Sequence, residues 1–190
     1  VLPITLGGPP GYWVSGFDVV DDTLYIAGPF ATVNGVARPY LAAVEMSTGT
    51  VLPFDPSPEA LVTTVRLWGG RLVAAGVFRR IGGERRRGLA ELDPVTGRAL
   101  DWNPDVPEGG AIEVGRDGLL YVAPGRSISG RIPRDTLAAI SPSTLRPLPW
   151  RPALEFFVLL DRLSFTPDCF VPPTDSTVKC HPRALPSPSQ

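Results

Sequence analysis

The stretch that decides the fold is residues 72–104, LVAAGVFRRIGGERRRGLAELDPVTGRALDWNP, because its pattern occurs three times at a fixed spacing. Leu24, Leu72 and Leu120 are each 48 residues apart. The other recurring positions keep this offset: Leu41, Leu89 and Leu137; Arg38, Arg86 and Arg134; Thr48, Thr96 and Thr144; Phe54, Trp102 and Trp150; Pro56, Pro104 and Pro152. Self-similarity at a period of about 20 to 50 residues is typical of solenoids, propellers and arrays.

Each unit contains four short apolar runs separated by turn residues. Two-residue turns such as Asp21-Asp22 and Gly69-Gly70 lie between the first and second runs, and they supply the positive φ that a tight hairpin needs. Four strands in about 48 residues cannot bury both sheet faces alone, so neighbouring units must stack sheet on sheet. The runs have no helical spacing, and a β-solenoid would have shorter repeats with fewer hairpins. The sequence predicts an all-β, β-propeller-like array of three four-stranded antiparallel blades.

The repeat predicts where the blades begin and end. Residues 1–12 are expected to be an end strand of a preceding blade or a closing strand, because Val1-Leu2-Pro3 resembles Val51-Leu52-Pro53 at the end of a unit. The remaining predicted segments are blade 1 at 13–58, blade 2 at 59–107, blade 3 at 108–153, and an irregular C-terminal extension at 154–190 that starts with a capping segment and continues as a Pro/Ser-rich tail.

Three blades are too few for a closed ring, since propellers generally have about four to eight. The hypothesis is therefore an incomplete or partner-completed propeller. Its open sheet faces would be covered by further blades of a longer polypeptide, by a protein partner or by another copy.

The recurring residues resemble a known family, the delta-60 repeat of bacterial propeller proteins (YVGGxF...LAxLDxxTG...WNP). The resemblance covers roughly residues 14 to 152 and is carried by Tyr25 to Phe30 and Leu52 to Pro56 in the first unit, and by Ala75 to Phe78 and Trp102-Asn103-Pro104 in the second. It implies a propeller fold and a secreted or surface-associated protein, and it implies no common chemistry. The third unit departs from the pattern. Pro124-Gly125-Arg126 replaces the Gly-x-Phe element and Leu145 replaces the turn glycine, so a distortion is expected there.

Composition restricts the partners and the compartment. A net charge of −1 argues against nucleic-acid binding, and no apolar run approaches 18 residues, so no transmembrane segment is expected. The two cysteines, Cys169 and Cys180, are predicted to form a disulfide that closes a short loop in the tail. A metal site with His181 and free thiols are the alternatives. A disulfide implies an oxidising compartment, so the predicted localisation is extracytoplasmic: periplasmic, cell-surface or secreted.

The candidate residues divide into repeating and non-repeating ones. Phe54, Trp102 and Trp150 are predicted to fill the space between blades, and Arg38, Arg86 and Arg134 to bond loop carbonyls or a neighbouring carboxylate. Residues that break the repeat are better candidates for binding, since the blade does not require them. They are the aromatics Tyr12, Trp13 and Trp68, expected either exposed or half-buried, and the arginines Arg79, Arg80, Arg85 and Arg87, which with Arg86 form a basic patch suited to an acidic partner or anionic head groups, or simply a solvated loop.

Enzyme signals are weak. The one histidine lies in the tail, no Ser-His-Asp arrangement is present, and the carboxylate pairs fall on turns where Asp is ordinary. No catalytic residue, metal or cofactor is assigned. The leading hypothesis is a non-enzymatic binding or scaffolding module that uses propeller loops for protein contact, for example as an accessory subunit of a surface or membrane complex. The alternative is a carbohydrate-binding or carbohydrate-active propeller.

Overall fold

The computed structural model describes residues 4–104, 110–123, 138–148, 169–170 and 179–180, and these residues contain strands and turns but no helix. The predicted all-β class is confirmed. In chain order the strands are β1 (Leu6–Gly7), β2 (Gly16–Val20), β3 (Thr23–Ala27), β4 (Thr32–Val33), β5 (Val36–Ala37), β6 (Leu41–Glu45), β7 (Val62–Trp68), β8 (Arg71–Gly76), β9 (Arg80–Ile81), β10 (Glu84–Arg85), β11 (Leu89–Leu92), β12 (Ala111–Val114), β13 (Leu120–Ala123), β14 (Ala138–Ile140), β15 (Cys169–Phe170) and β16 (Lys179–Cys180).

Three of the sheets correspond to the three repeat units. Blade 1 has the strand order β2-β3-β6, blade 2 has the order β7-β8-β11, and blade 3 has the order β12-β13-β14. Every pairing is antiparallel, and the second run of each unit is the central strand. The sheets stay separate and do not close into a barrel within the described residues. This arrangement is consistent with an incomplete propeller.

The fourth run of each unit contributes less than predicted. Instead of a full strand, the structure has one isolated bridge per blade: Val44 with Val51, Leu92 with Ala99, and Ile140 with Pro147. One backbone N–H per fourth segment donates to the outer strand of its blade: Leu52 to Ala43 O, Leu100 to Glu91 O, and Leu148 to Ala139 O. The described blades are therefore three-stranded sheets with a bridged fourth segment.

A short two-stranded ribbon, which the repeat did not predict, forms in the connection from the central to the outer strand of blades 1 and 2. In blade 1 it consists of β4 and β5, and β4 also pairs with β1. In blade 2 it consists of β9 and β10. Each ribbon buries one apolar side chain, Val33 in blade 1 and Ile81 in blade 2, so the ribbons cover the sheets from which they extend.

The turns follow the expected chemistry. Asp21, Gly69 and Gly70 have positive φ between 51° and 77° in their two-residue hairpin turns, and Gly118 has a φ of 77° in the longer turn between β12 and β13. The expected distortion at Leu145 takes the form of strain, because this residue keeps the left-handed conformation (φ 54°) of the turn glycines that it replaces. Its N–H donates to Ser141 O at 2.9 Å. The turn is therefore retained without glycine.

Close backbone approach explains the Ala-Gly ends of the central strands. A Cβ on Gly28 would overlap the carbonyl oxygen of Trp13, and one on Gly76 would overlap that of Leu61. Both contacts lie where the chain enters the first strand of the blade. Glycine is required at this repeat position because the two segments cross in contact.

Most of the core lies between blades. One cluster joins blade 1 residues, including Tyr25 and Phe54, to blade 2 residues, including Val65 and Leu72. A second cluster joins blade 2 to blade 3 and includes Trp102 and Leu120. Neighbouring sheets therefore share their apolar faces, as stacked units must.

Several predictions concern the C-terminal cysteines or residues that the structure does not describe. The strands β15 and β16 place Cys169 opposite Cys180 in an antiparallel ladder, and directly opposed Cα atoms are about 4.5 to 5.5 Å apart, which a disulfide can span. The disulfide remains a prediction. Trp150, Arg134, His181, the Pro124-Gly125-Arg126 departure and the capping segment lie outside the described residues.

Candidate functional site

Exposed apolar side chains concentrate at one edge of blade 1, and we call them the blade 1 patch. Phe17 and Val19 project from β2, with 60% and 46% of their surface exposed. The preceding segment adds Tyr12, Trp13 and Val14, of which Trp13 is 56% exposed. Exposed apolar side chains that are grouped on one segment indicate an interaction surface more often than single exposed residues do.

The strand register shows which face of blade 1 carries the patch. Phe17 lies opposite Ile26 and Val19 opposite Leu24, and these two belong to the cluster beneath β1 and its ribbon. Alternate residues of β2 point the other way, and Asp18 there accepts a bond from blade 2. Phe17 and Val19 therefore lie on the face of blade 1 that is turned away from blade 2.

The same positions in blade 2 are covered. Val65 stands 48 residues after Phe17 and lies opposite Ala74 as Phe17 lies opposite Ile26. Val65 is 0% exposed, because it packs in the cluster that contains Tyr25, Ala27 and Ala43 of blade 1. The blade 1 patch is thus the equivalent of a surface that, one blade later, is buried against a neighbouring blade.

Charged side chains connect the first strands of the three blades. The Arg66 guanidinium lies 2.9 Å from the Glu113 carboxylate on β12 and donates to Phe17 O on β2 at 3.0 Å. Asp18 Oδ2 accepts the Leu67 N–H at 2.6 Å. Asp18, Arg66 and Glu113 occupy one register position, opposite Tyr25, Val73 and Tyr121. We call them the inter-blade charge row.

The inter-blade charge row was not predicted from the sequence. Asp18 and Arg66 keep the 48-residue offset, but Glu113 follows Arg66 by 47. A search for charged residues at matching strand positions that allowed a one-residue slip would have found the row. Its contacts hold neighbouring sheets together.

The predicted basic patch lies on and beside the β9–β10 ribbon. Arg79, Arg80 and Arg85 are exposed, and Arg80 and Arg85 are direct cross-strand partners. Arg86 is half-buried instead and donates to Leu100 O at 2.7 Å. Arg87 is also half-buried. The structure therefore places three of the predicted binding arginines on or next to one exposed ribbon. Arg86 instead makes a structural contact with a backbone carbonyl.

Trp68 is not exposed, so that part of its prediction is wrong. It is 3% exposed, its ring lies 5.9 Å from that of Trp102, and its Nε1 donates to Gly118 O at 2.8 Å. The blade 3 residues that bury it come about 50 positions later in the chain, which local sequence could not reveal. Trp68 fills the space between blades 2 and 3.

A small pocket opens beside Trp68. It has a volume of about 90 Å³ and is lined by Trp68, Gly69, Arg71, Glu91, Pro142 and Leu145. Glu91 is 1% exposed and its Oε1 accepts a bond from Arg71 Nη1 at 2.8 Å. This bond raises the pKa of Arg71, and the two side chains are hydrogen-bonded to each other. Ligand pockets usually have volumes of about 300 Å³ or more, so this one is too small for a sugar.

The recurring residues make structural contacts where they are described. The Phe54 ring packs edge-on against Tyr25 at 5.4 Å, and Trp102 Nε1 donates to Leu145 O at 3.0 Å. Arg38 donates from Nε to Phe54 O at 3.0 Å and lies 3.6 Å from Asp55. These contacts tie the ends of the first two units to the ribbon or turn beside them.

The shifted pKa values also have structural causes. Burial raises the pKa of Tyr25 and of Tyr121, with Asp93 and Asp117 adding to the respective shifts. Bonds from the Thr96 N–H and hydroxyl lower the pKa of the Asp93 carboxyl within its turn. Each of these groups is engaged in a turn or at a blade contact.

The described residues contain no group of three or more His, Cys, Asp or Glu side chains placed to hold a metal ion. Over the same residues, no helix has the length and apolar character needed to cross a bilayer. Comparison with known protein families and with curated proteins finds no match to this chain.

Proposed function

We propose that the chain is a non-enzymatic, extracytoplasmic binding or scaffolding module whose blade 1 patch is covered by a protein partner or a further blade. The observation that carries this proposal is the contrast between equivalent positions. Val65 is fully buried by the neighbouring blade, whereas Phe17 is 60% exposed. Burying apolar area contributes about 25 cal/mol of favourable free energy per Å², so the exposed blade 1 patch favours association.

The occupant's chemistry follows from what covers the equivalent surface inside the chain. The cluster that covers Val65 and Leu67 takes the aromatic rings of Tyr25 and Phe54 and the small side chains of Ala27 and Ala43 from blade 1. A partner for the blade 1 patch is therefore expected to present a flat β-sheet face with small apolar residues beside aromatic ones. Such a partner makes the chain an accessory subunit of a larger surface assembly.

The test compares two exposed apolar positions. Phe17→Asp places a charge in the patch, and Val95→Asp places one on an exposed turn of blade 2, where Val95 is 74% exposed. A photo-crosslinking residue at Val19 or at Val95, introduced in the producing cells, reports which surface is covered. We expect a defined protein crosslink at position 19 that Phe17→Asp abolishes, and none at position 95.

Circular dichroism of both variants controls for folding. Equal crosslinking at positions 19 and 95, or a position 19 crosslink that survives Phe17→Asp, would contradict the proposal. Turnover of a glycan or ester by the purified chain would contradict its non-enzymatic part.

The carbohydrate alternative has one observation in its favour, since Tyr12 and Trp13 are adjacent and both exposed. Exposed aromatic rings provide stacking surfaces for sugar rings. A glycan array separates the two functions: Trp13→Ala would abolish glycan binding while Phe17→Asp would leave it, whereas a protein interface would be sensitive to Phe17→Asp.

A further inference from the structure

The β9–β10 ribbon carries two arginines directly opposite each other. Arg80 on β9 and Arg85 on β10 are cross-strand partners, so their side chains leave the ribbon on the same side. Both are exposed, and Arg79 adds a third exposed guanidinium next to them. We propose that this pair binds a single tetrahedral oxyanion, the phosphate or sulfate group of an anionic ligand. This site is separate from the blade 1 patch.

Blade 1 shows that the ribbon does not need these charges. The equivalent cross-strand pair there is Thr32 and Ala37, each 48 residues earlier. The positions that make structural contacts carry the same type of residue in both ribbons. Ile81 is buried as Val33 is, and Arg86 donates to a carbonyl as Arg38 does. The two additional arginines therefore serve something other than folding of the ribbon.

Nearby carboxylates do not neutralise the pair in the described part of the chain. Glu59 Oε1 accepts the backbone N–H of Arg79 at 3.0 Å. Glu84 lies opposite Ile81, on the other side of the ribbon from the two guanidiniums. Among the described residues the ion pairs involve Arg38, Arg66 and Arg71, and neither Arg80 nor Arg85 takes part.

The electrostatics favour an anion between the two side chains. Like charges directly opposite in an antiparallel pair are destabilising, and their Cβ atoms are about 4.5 to 5.5 Å apart. Two guanidinium forks at that spacing can each donate two N–H groups to the oxygens of one tetrahedral anion. Binding would convert the repulsion into two charge-assisted contacts. Phosphate and sulfate share this chemistry, whether free, on a sugar or on a lipid head group.

The experiment uses the whole chain with a variant taken from its own repeat. R80T/R85A installs the pair found in blade 1, and R98A removes an exposed arginine from a turn outside the ribbon. Three probes distinguish the sources: sodium sulfate, a sulfated oligosaccharide, and phosphatidylcholine vesicles containing phosphatidic acid. Calorimetry measures the first two and vesicle flotation the third.

We expect binding of at least one probe that weakens with added salt and falls about ten- to hundredfold in R80T/R85A but less than about twofold in R98A. The graft T32R/A37R should add a second site, and it tests the proposal even if R80T/R85A folds poorly. Absence of binding to all three probes would overturn the inference. An equal loss in R98A, or a graft without added binding, would also overturn it.

Discussion

Replacing Arg66 with Met tests whether the inter-blade charge row holds the sheets together. Met keeps a long unbranched stem but removes all the guanidinium bonds. Those bonds join blade 2 to the Glu113 carboxylate of blade 3 at 2.9 Å and to the Phe17 carbonyl of blade 1 at 3.0 Å. We expect Arg66→Met to lower the free energy of unfolding because two blade contacts lose a charged donor.

The magnitude follows from exposure. The Arg66 and Glu113 side chains are 25% and 24% exposed, so the pair lies between a surface ion pair, worth roughly 0 to 1 kcal/mol, and buried hydrogen bonds to charged groups, worth roughly 1.5 to 3 kcal/mol. We expect a total loss of about 2 kcal/mol for Arg66→Met. In a chain of this size that corresponds to a decrease in Tm of about 4 to 8 °C.

A double-mutant cycle separates the two contacts. Glu113→Gln removes only the ion pair, so we expect a coupling energy with Arg66→Met of about 1 kcal/mol, measured by denaturant unfolding. Arg98→Met is the matched control, since its exposed side chain should change stability by less than about 0.5 kcal/mol. A coupling energy indistinguishable from zero, or an Arg66→Met loss equal to that of Arg98→Met, would refute the assigned role of the row.

Two further predictions concern equivalent positions and pH. Val65→Ala should destabilise the chain by about 1 to 3 kcal/mol because Val65 is fully buried between blades, whereas Phe17→Ala should cost less than about 1 kcal/mol in the isolated chain; equal losses in thermal unfolding would show that blade 1 is covered as blade 2 is. The Asp93 carboxyl has a folded-state pKa below the ordinary 3.8, so its stabilisation is present above pH 3.8 and is lost as the pH falls through the lowered value. Unfolding at pH 5 and pH 2.5 should therefore show a smaller acid loss in Asp93→Asn than in the wild type or in Asp101→Asn, and identical losses in all three would contradict it.

Local chemistry in the repeat predicted the strands and turns well, because those features depend on residues close in sequence. Gly69-Gly70 has the positive φ that its hairpin requires, and Phe54 is buried between blades. The two-residue strands of the ribbons were missed, since Thr32–Val33 and Val36–Ala37 are too short to show an alternating pattern. Strands of two residues are too short for an alternating pattern of apolar and polar residues to be recognised.

The functional candidates were harder to predict because exposure depends on the neighbouring blade. Trp13 and Trp68 were equally good candidates for binding by sequence. Trp13 is 56% exposed, whereas Trp68 is buried against residues of blade 3. The same logic makes Phe17 informative. Its equivalent in the next unit, Val65, lies between two blades. Only the fold shows that, among the described residues, no neighbouring blade covers Phe17 on that side. Phe17 is therefore exposed at a position that is buried between blades in the next unit, and this contrast supports the proposed association with a partner.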